Sequence, residues 1–298
     1  MINHLEIFSY LQEPHILKKF TKYNFTQKII SSFQDYDNLY LVTEFYEGEN
    51  LYTLKEEKMS EEQIKFIAAS IVQIFIYLRK ENIIHRDISM KNLILDNDNY
   101  LNILDFSYAT KYQNKIDPKN YLICYYDIDN PPEIQTLSEY GYTVDYYRLG
   151  GSILYFLIFK QYANAIKRDN NINELVISQD TVKNISYECI DFINKLIINE
   201  PNKRLGFKNI EEMKIHPWFY GFNWAKFEKK EIKSPLNYDK KKKDIQICEK
   251  FNFEDNTQNK FKTMMRKKKY KKLMRNYQFV NKDIVSNIID SIFNKDYF

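Results

Sequence analysis

Two pairs of short apolar runs, each joined by a polar turn, predict two β-hairpins in the first part of the chain. The first pair of runs occupies residues 28–33 and 39–45. The second pair occupies residues 93–95 and 101–104, and the turn between them, 96–99, contains only Asp and Asn. Asp and Asn favour tight turns because their side chains can bond to the backbone of the turn. The second pair is therefore expected to fold back on itself.

Apolar residues at helical spacing predict two helices. Residues 2–11 carry one such pattern, and Pro14 is expected to end that helix, because the residue before a proline disfavours the helical conformation. Ser60 and Gln63 form a capping-box pattern that starts a second helix, which is expected to run through Arg79. The apolar face of this second helix comprises Ile64, Ile67, Ala68, Ile71, Phe75 and Leu78.

Three polar side chains flank the second hairpin and are the candidates for chemistry. Asp87 and Asn92 precede its first strand, and Asp105 follows its second strand. The hairpin would gather a carboxylate, an amide oxygen and a second carboxylate around one pocket. Phosphoryl transfer from a nucleotide uses such a set, with one group to orient the attacking hydroxyl and two oxygen ligands for Mg²⁺. The alternative interpretation is a solvated turn rich in Asp and Asn.

Composition limits the class of protein. Of the 298 residues, 44% are hydrophobic and 28% are charged, so the chain can build a sizeable core as one large domain or two modest ones. The net charge of +4 does not by itself indicate nucleic acid as a partner. The three cysteines are far apart and odd in number, which indicates a reducing compartment. Because no signal segment or membrane-spanning apolar run is found, the expected location is the cytoplasm, or alternatively the nucleus.

The stretch around the candidate residues resembles the catalytic loop and metal-binding segment of the eukaryotic protein kinases. The family patterns are H-R-D-x-x-x-x-N and D-F-G, and the chain has HRDISMKN at 85–92 and DFS at 105–107. Further similarities follow in the family's order, so that the resemblance covers about residues 1–236. They are 31–51, similar to the strand and hinge segment of AGC- and calmodulin-dependent-type kinases; Pro131-Pro132-Glu133, similar to A-P-E; 141–150, similar to the D-x-W-S-x-G start of a helix that continues over 153–159; 191–197 followed by 200–206, similar to the last helix pair of the C-lobe; and 216–235, similar to the C-lobe end and the start of the AGC tail.

The resemblance implies an α+β protein-kinase fold with a mainly α-helical C-lobe. The N-lobe is expected to be truncated to one helix and two or three antiparallel strands. Residues 1–46 would form the remnant N-lobe and hinge, and residues 47–222 the C-lobe. Residues 223–298 would form an AGC-like tail with a basic segment and a terminal helix.

The resemblance also implies roles for individual residues. Asp87 would accept or orient the proton of the substrate hydroxyl, and Arg86 would brace the activation segment. Asn92 and Asp105 would hold Mg²⁺. The expected cofactors are thus ATP and Mg²⁺, and the expected partner is a protein substrate.

A second group of residues is expected to contact the nucleotide. Ile94 would touch the adenine ring, and Asn50 would lie near the ribose. The backbone of Glu44 to Tyr46 would bind the edge of the adenine.

Two further contacts are expected to be structural. Arg204 would form a pair with Glu133, which fixes geometry well when it is bidentate and buried. His85 and Asp145 would brace the backbone of the catalytic loop.

Several positions depart from the family pattern. The family's Gly-rich loop and strand lysine are not found, since Gly48 is the first glycine, and His4 stands where the glutamate partner of that lysine is expected. Ser89 replaces the lysine two residues after the catalytic aspartate, and Ser107 replaces the glycine of D-F-G. A Tyr pair at 125–126 replaces the family's Gly-Thr. Because this chemistry depends on positioned charge, such losses are expected to cost orders of magnitude in rate.

Two hypotheses follow. The first is a Ser/Thr protein kinase whose activity in this chain is very weak or absent, through drift or because the sequence is a truncated copy. The second is a catalytically inactive pseudokinase that acts as a scaffold or as a regulator of a partner kinase. In either case the missing strands are expected to leave Ile29, Leu39 and Leu41 exposed.

The end of the chain has a different character. Residues 260–275 contain nine Lys and Arg and no acidic residue, interleaved with apolar residues, and helix-spaced apolar residues follow at 284–293. This pattern could contact a calmodulin-like protein or acidic lipid, with nucleic acid as a weaker possibility. The favoured interpretation is a solvated basic tail followed by a helix docked on the domain.

Overall fold

The computed structural model of the chain divides into two compact units. The first unit contains residues 1–22, 27–45 and 240–298, and the second contains residues 23–26 and 46–239. The residues that the structure describes are 4–34, 38–54, 58–112, 130–136, 138–160, 174–178, 184–236 and 277–281.

Helices and short antiparallel strand pairs make up the regular structure, which confirms the predicted α+β class. A π-helical segment, Leu149–Leu154, joins helices α4 and α5. The α-helices are α1 (His4–Phe20), α2 (Glu61–Lys80), α3 (Pro132–Gln135), α4 (Thr143–Arg148), α5 (Tyr155–Phe159), α6 (Tyr187–Leu196) and α7 (Trp224–Glu228). The strands are β1 (Ile29–Gln34), β2 (Leu39–Thr43), β3 (Ile83–Ile84), β4 (Leu93–Leu95), β5 (Leu101–Ile103), β6 (Thr110–Lys111) and β7 (Phe279–Val280). Short 3₁₀ turns lie at Pro201–Lys203, Ile210–Met213 and Pro217–Phe219.

In the first unit, three strands form an antiparallel sheet in the order β2-β1-β7. The pairing of β1 with β2 confirms the first predicted hairpin and places Phe33 opposite Tyr40. On its other side, β1 pairs with β7, where Ser31 lies opposite Val280. The expected small sheet is therefore present, but its third strand comes from a distant part of the chain.

Helix α1 corrects the prediction that Pro14 ends the first helix, because α1 continues through Pro14 to Phe20. A proline inside a helix loses a hydrogen bond and clashes with the preceding turn, at a cost of about 3 kcal/mol. Leu11, Ile16, Leu17 and Phe20 are all buried on this helix. Burying each such side chain contributes roughly 1.5–3 kcal/mol, so tertiary packing outweighs the local penalty.

The first hairpin also corrects the expected exposure of its apolar residues. Ile29 is fully buried and Leu39 and Leu41 are half-buried, whereas Phe33, Tyr40 and Val42 are exposed on the opposite face. The pairing register shifts between Ile29 and Ser31, as in a β-bulge. Because side chains alternate between the faces of a strand, this shift puts Ile29 and Phe33 on different faces. Without this shift, strict alternation would place Phe33 on the same face as the buried Ile29.

Helix α2 is the centre of the second unit. Its capping box forms as predicted, because the Ser60 hydroxyl accepts from the Gln63 amide and the Gln63 side chain accepts from the Ser60 amide. Ile64 and every residue from 66 to 78 are buried, so the whole predicted apolar face is inside the core. A helix that is buried on all sides belongs to the interior of a core rather than to its surface.

The predicted helix start at 141–150 and the predicted helix at 153–159 form one continuous helical stretch across α4, the π segment and α5. A Cβ atom at Gly150 would lie 2.7 Å from the Cβ of Leu196 and 2.9 Å from Cγ2 of Ile197. Such distances are too short for real side chains, so a glycine is required for this stretch to pack against α6.

Arg204 and Glu133 form the predicted ion pair. Nη1 lies 2.6 Å from Oε1 and Nη2 lies 2.7 Å from Oε2, so the pair is bidentate, and both side chains are buried. Arg204 also donates to the carbonyl of Thr143 at 3.0 Å. The pair therefore ties α3 to α4 and to the loop after α6.

Residues 224–236 pack within the second unit. The ring of Phe227 is buried on α7 and stacks on Phe25 with 5.2 Å between centroids. Lys230 forms an ion pair with Asp96 in the turn of the second hairpin. The predicted basic segment at 260–275 and terminal helix at 284–293 lie outside the described residues. Within the described part of the chain, no helix has the length and apolar character needed to cross a membrane.

Candidate active site

The second predicted hairpin is confirmed, and it brings Asn92 and Asp105 to the same open end. Leu93 of β4 pairs with Ile103 of β5. One step further, the amide of Leu104 donates to the carbonyl of Asn92 at 2.8 Å. Asn92 and Asp105, the two predicted metal ligands, are 13 positions apart in the sequence, and the hairpin brings these two parts of the backbone together.

The loop that precedes β4 is held by Asp145 of α4. The carboxylate oxygens of Asp145 accept from the backbone amides of His85 at 2.8 Å and Arg86 at 2.9 Å. Arg86 has a φ of +69°, a conformation that costs energy in a residue other than glycine. Burial raises the pKa of Asp145 to about 6, although the two amide bonds act in the opposite direction. Asp145 thus braces the loop as the sequence analysis expected.

Asp87 and Asn92 are in direct contact. The side-chain nitrogen of Asn92 donates to Oδ2 of Asp87 at 2.7 Å and to the Asp87 carbonyl at 3.0 Å. The nitrogen is the donor in both bonds, which leaves the amide oxygen as the atom that can bind a cation. The Asp87 side chain is 25% exposed, so a substrate can reach it.

Arg148 is a charged residue of this site that the sequence analysis missed. Its Nη1 lies 3.7 Å from Oδ1 of Asp87, and its Nη2 donates to Oδ1 of Asn130 at 2.9 Å. The side chain is only 3% exposed. The sequence did contain a sign of this role. Arg148 is the single cationic residue in the mainly apolar helical stretch 143–159, and it stands where D-x-W-S-x-G has a serine.

Asp105 lies next to two residues that fix its surroundings. Oδ1 of Asp105 accepts from the Ser107 hydroxyl at 2.5 Å and from the Ser107 amide at 3.1 Å. The buried ring of Phe106 packs edge-on against His85, with 4.8 Å between centroids. Burial lowers the pKa of His85 to about 4, so its imidazole is neutral near pH 7.

The predicted adenosine contacts Asn50 and Ile94 face each other in an isolated antiparallel bridge. Leu95 donates its amide to the carbonyl of Glu49 at 3.0 Å, so residues 48–51 run alongside β4. A Cβ atom at Gly48 would lie 1.8 Å from the Leu95 carbonyl oxygen. Only glycine permits this close approach, and Gly48 therefore fixes Asn50 beside Ile94.

The two other predicted nucleotide contacts belong to different units. Glu44 is part of the first unit, where its amide donates to the carbonyl of Lys28 at 2.9 Å. Tyr46 is part of the second unit, where its hydroxyl donates to the carbonyl of Thr26 at 3.3 Å.

Arg86 contacts the chain on both sides of the segment that follows Asp105. Its Nε donates to the carbonyl of Tyr108 at 2.6 Å, and its Nη1 donates to the Tyr140 hydroxyl at 3.1 Å. Residues 113–129, which include the Tyr pair at 125–126, lie outside the described residues.

The donor set fits Mg²⁺. One carboxylate and one amide oxygen are hard ligands, and Mg²⁺ typically binds one or two carboxylates together with phosphate oxygens and water. Among the described residues, no group of three or more His, Cys, Asp or Glu side chains could hold a metal ion. The chemistry of Asn92 and Asp105 therefore suits an ion that arrives with a nucleotide better than a permanently bound structural metal.

Comparison with known proteins gives a consistent result. Residues 3–219 match the protein kinase domain family. The serine/threonine-protein kinase sgk-1 of Caenorhabditis elegans is 32% identical over 236 residues, which cover 78% of this chain and 50% of that protein. The cGMP-dependent protein kinase 2 of Rattus norvegicus is 30% identical over 219 residues, which cover 71% of this chain and 28% of that protein.

A third relative, the RAC serine/threonine-protein kinase of Drosophila melanogaster, is 28% identical over 245 residues, which cover 78% of this chain and 38% of that protein. The chain spans about half the length of the curated relatives it matches, or less. The family match ends at residue 219, before the basic segment at 260–275.

Proposed function

This chain belongs to the eukaryotic protein kinase family and is AGC-like, and from that premise we propose that it transfers the γ-phosphate of ATP to a Ser or Thr hydroxyl of a protein. One observation carries the proposal. The hairpin and its preceding loop hold Asp87 in contact with Asn92 and bring Asn92 to the same hairpin end as Asp105.

Each of these residues has a role in the proposed reaction. Asp87 orients the substrate hydroxyl, whose oxygen bonds to the γ-phosphorus while the bond to the ADP oxygen breaks. The hydroxyl proton passes to Asp87, which its exposure permits. Asn92 and Asp105 would hold Mg²⁺, which neutralises charge on the phosphates when it is bound. Asn50 and Ile94 would contact the adenosine.

We expect the rate to be low for a kinase. Ser89 provides no charge where the family has a lysine. Ser107 donates two hydrogen bonds to the same oxygen of Asp105, so Mg²⁺ must share that oxygen or bind the other one. Removing a positioned charge from such a site costs about 10²–10³-fold in turnover.

The same Ser107 contact favours a second candidate, a catalytically inactive pseudokinase that binds a partner kinase. A carboxylate already satisfied by two donors has less need of a metal ion, and a kinase that does not bind Mg-ATP could still offer its surface to a partner. Binding of nucleotide separates the two candidates.

Thermal unfolding of the purified chain with and without millimolar Mg-ATP tests the proposal. A ligand that binds the native state raises the melting temperature according to its concentration relative to its Kd. We expect an upward shift that needs Mg²⁺ and is lost in Asp105→Ala, followed by detectable phosphotransfer in the unsubstituted chain. The absence of a shift in a well-folded chain would reject the enzyme and leave the pseudokinase.

A further inference from the structure

Two side chains contact the Asp87 carboxylate from opposite ends. Asn92, from the same loop, donates to Oδ2 at 2.7 Å. Arg148, from α4, places Nη1 3.7 Å from Oδ1. With one partner on each oxygen, rotation of the carboxylate is restricted, and its orientation depends on both contacts.

The loop itself lacks a cation where the family pattern has one. Ser89 stands two residues after Asp87 in place of the lysine. The nearby Lys91 is engaged elsewhere, since its Nζ lies 5.4 Å from the centroid of the Tyr52 ring. Arg148, in turn, stands where the D-x-W-S-x-G pattern has an uncharged serine. The loop has lost a positive charge, and the helix beneath it carries an additional one.

We infer that Arg148 is a positioning residue for Asp87 and supplies from α4 part of the positive charge that Ser89 does not. The inference rests on the proposed phosphoryl transfer. In this arrangement the positive charge of Arg148 attracts Oδ1 and Asn92 donates to Oδ2, so that the carboxylate keeps one orientation while a substrate hydroxyl approaches its exposed side.

A purely structural role for Arg148 is the competing explanation. A buried guanidinium is tolerated only where its charge is compensated, and Arg148 bonds to Asn130 at 2.9 Å. Its positive charge also acts to lower the pKa of Asp145 and the pKa of His85. If Arg148 served only these neighbours, a new cation at position 89 would have no reason to replace it. Recovery of phosphotransfer when Ser89→Lys is added to Arg148→Met therefore distinguishes a role in positioning Asp87 from a role in packing alone.

The first arm of the test measures steady-state phosphotransfer. Arg148→Met is expected to lower kcat about 10²-fold and to change the KM for ATP by less than about 2-fold, because the charge acts on the reacting group and not on nucleotide binding. Adding Ser89→Lys is expected to raise kcat about 10-fold in Arg148→Met and by a smaller factor in the unsubstituted chain, where Arg148 already supplies part of that charge. Arg148→Lys is expected to lose less than Arg148→Met. If the unsubstituted chain is active but Ser89→Lys restores no activity to Arg148→Met, or raises kcat equally in both backgrounds, the inference is overturned.

A matched control is Arg79→Met, which removes a cation that lies 4.3 Å from the Tyr142 ring. Among the contacts the structure gives for Arg79, none is to Asp87, so this variant is expected to keep kcat within about 2-fold. A loss as large as that of Arg148→Met would indicate a general effect of removing an arginine and would contradict the inference.

The second arm does not depend on turnover. Melting temperatures are measured for Arg148→Met, Asp87→Asn and the double variant. Because Asp87→Asn removes the charge that Arg148 faces, the double variant is expected to lose less than the sum of the two single losses. Additive losses would overturn the inference. If the parent transfers no phosphate but the losses are non-additive, the contact between Arg148 and Asp87 stands and the proposed function fails.

Discussion

Two arginine–carboxylate pairs in the second unit are built differently. Arg204 and Glu133 form two bonds of 2.6 and 2.7 Å, and neither side chain is more than 3% exposed. Arg148 lies 3.7 Å from Asp87, and although the arginine is buried, the aspartate is 25% exposed. The first pair is closed to solvent on both sides, and the second pair is open on the side of the carboxylate.

This difference separates a stabilising pair from one suited to chemistry. A bidentate pair uses the best hydrogen-bonding geometry of both groups and leaves no access for a substrate. An aspartate that takes part in proton transfer must remain within reach of its partner. The open pair combines a fixed carboxylate with that access, so we expect substitutions in the two pairs to affect different properties.

The largest effect on stability is expected at the closed pair. Glu133→Gln leaves the Arg204 guanidinium buried without a counter-charge, which costs about 3–5 kcal/mol in the free energy of unfolding. Arg148→Met leaves a carboxylate that water can partly solvate, and it is expected to cost about 1–2 kcal/mol. Urea denaturation of both variants measures the difference. Equal costs would contradict the distinction between a closed and an open pair.

The surroundings of the open pair give a pH-dependent prediction. Burial lowers the pKa of His85 from 6.5 to about 4, so between these values the unfolded chain binds a proton that the folded chain does not. Stability from His85 is therefore present above pH 6.5 and lost as the pH falls to 4. Asp145 acts in the opposite direction, because its pKa is raised from 3.8 to about 6 and the folded chain gains the proton first.

In the unsubstituted chain these two contributions oppose each other between pH 4 and 6. His85→Phe keeps an aromatic ring against Phe106 and removes the pH-dependent contribution of His85, while that of Asp145 remains. Relative to the parent, this variant is expected to gain roughly 3 kcal/mol of unfolding free energy between pH 7 and pH 4. Urea denaturation across this range tests the prediction. A constant difference between variant and parent would show that His85 is not held neutral by burial.

The smallest effect is expected at Asp105, the proposed Mg²⁺ ligand. Ser107→Gly removes the hydroxyl that lies 2.5 Å from Oδ1 of Asp105. Losing this competing hydrogen bond, worth about 1 kcal/mol, should lower the Mg²⁺ concentration needed for the ATP-dependent thermal shift by about 3–10-fold. Ser107→Ala is the matched control, since it removes the hydroxyl without the conformational freedom of glycine. An unchanged Mg²⁺ requirement in both variants would show that the hydroxyl does not compete.

Local patterns predicted the elements that local chemistry determines. The capping box of Ser60 and Gln63 and the apolar spacing that follows define α2, because both act within a few residues. The Asp/Asn turn at 96–99 defines the second hairpin and, with it, the neighbouring positions of Asn92 and Asp105. The pair of Arg204 with Glu133 came instead from the resemblance to a family, since no local rule joins two residues so far apart.

Long-range packing accounts for what the sequence analysis missed. Pro14 lies inside α1 because buried neighbours outweigh a local penalty. The two residues of β7 are too few to form a recognisable pattern, and their pairing with β1 joins distant parts of the chain. Arg148 meets Asp87 only after α4 packs against the loop that carries Asp87. These three features share one cause, which is that tertiary contacts decide them.

The most direct test of the account is single-turnover phosphotransfer from γ-labelled ATP to a protein substrate, with the unsubstituted chain and Asp87→Asn measured side by side. We expect slow, Mg²⁺-dependent transfer by the unsubstituted chain and a loss of about 10²–10⁴-fold in Asp87→Asn, with ATP binding retained. Equal transfer by both proteins, or none by an unsubstituted chain that binds Mg-ATP, would contradict the assignment of Asp87 as the residue that orients the hydroxyl.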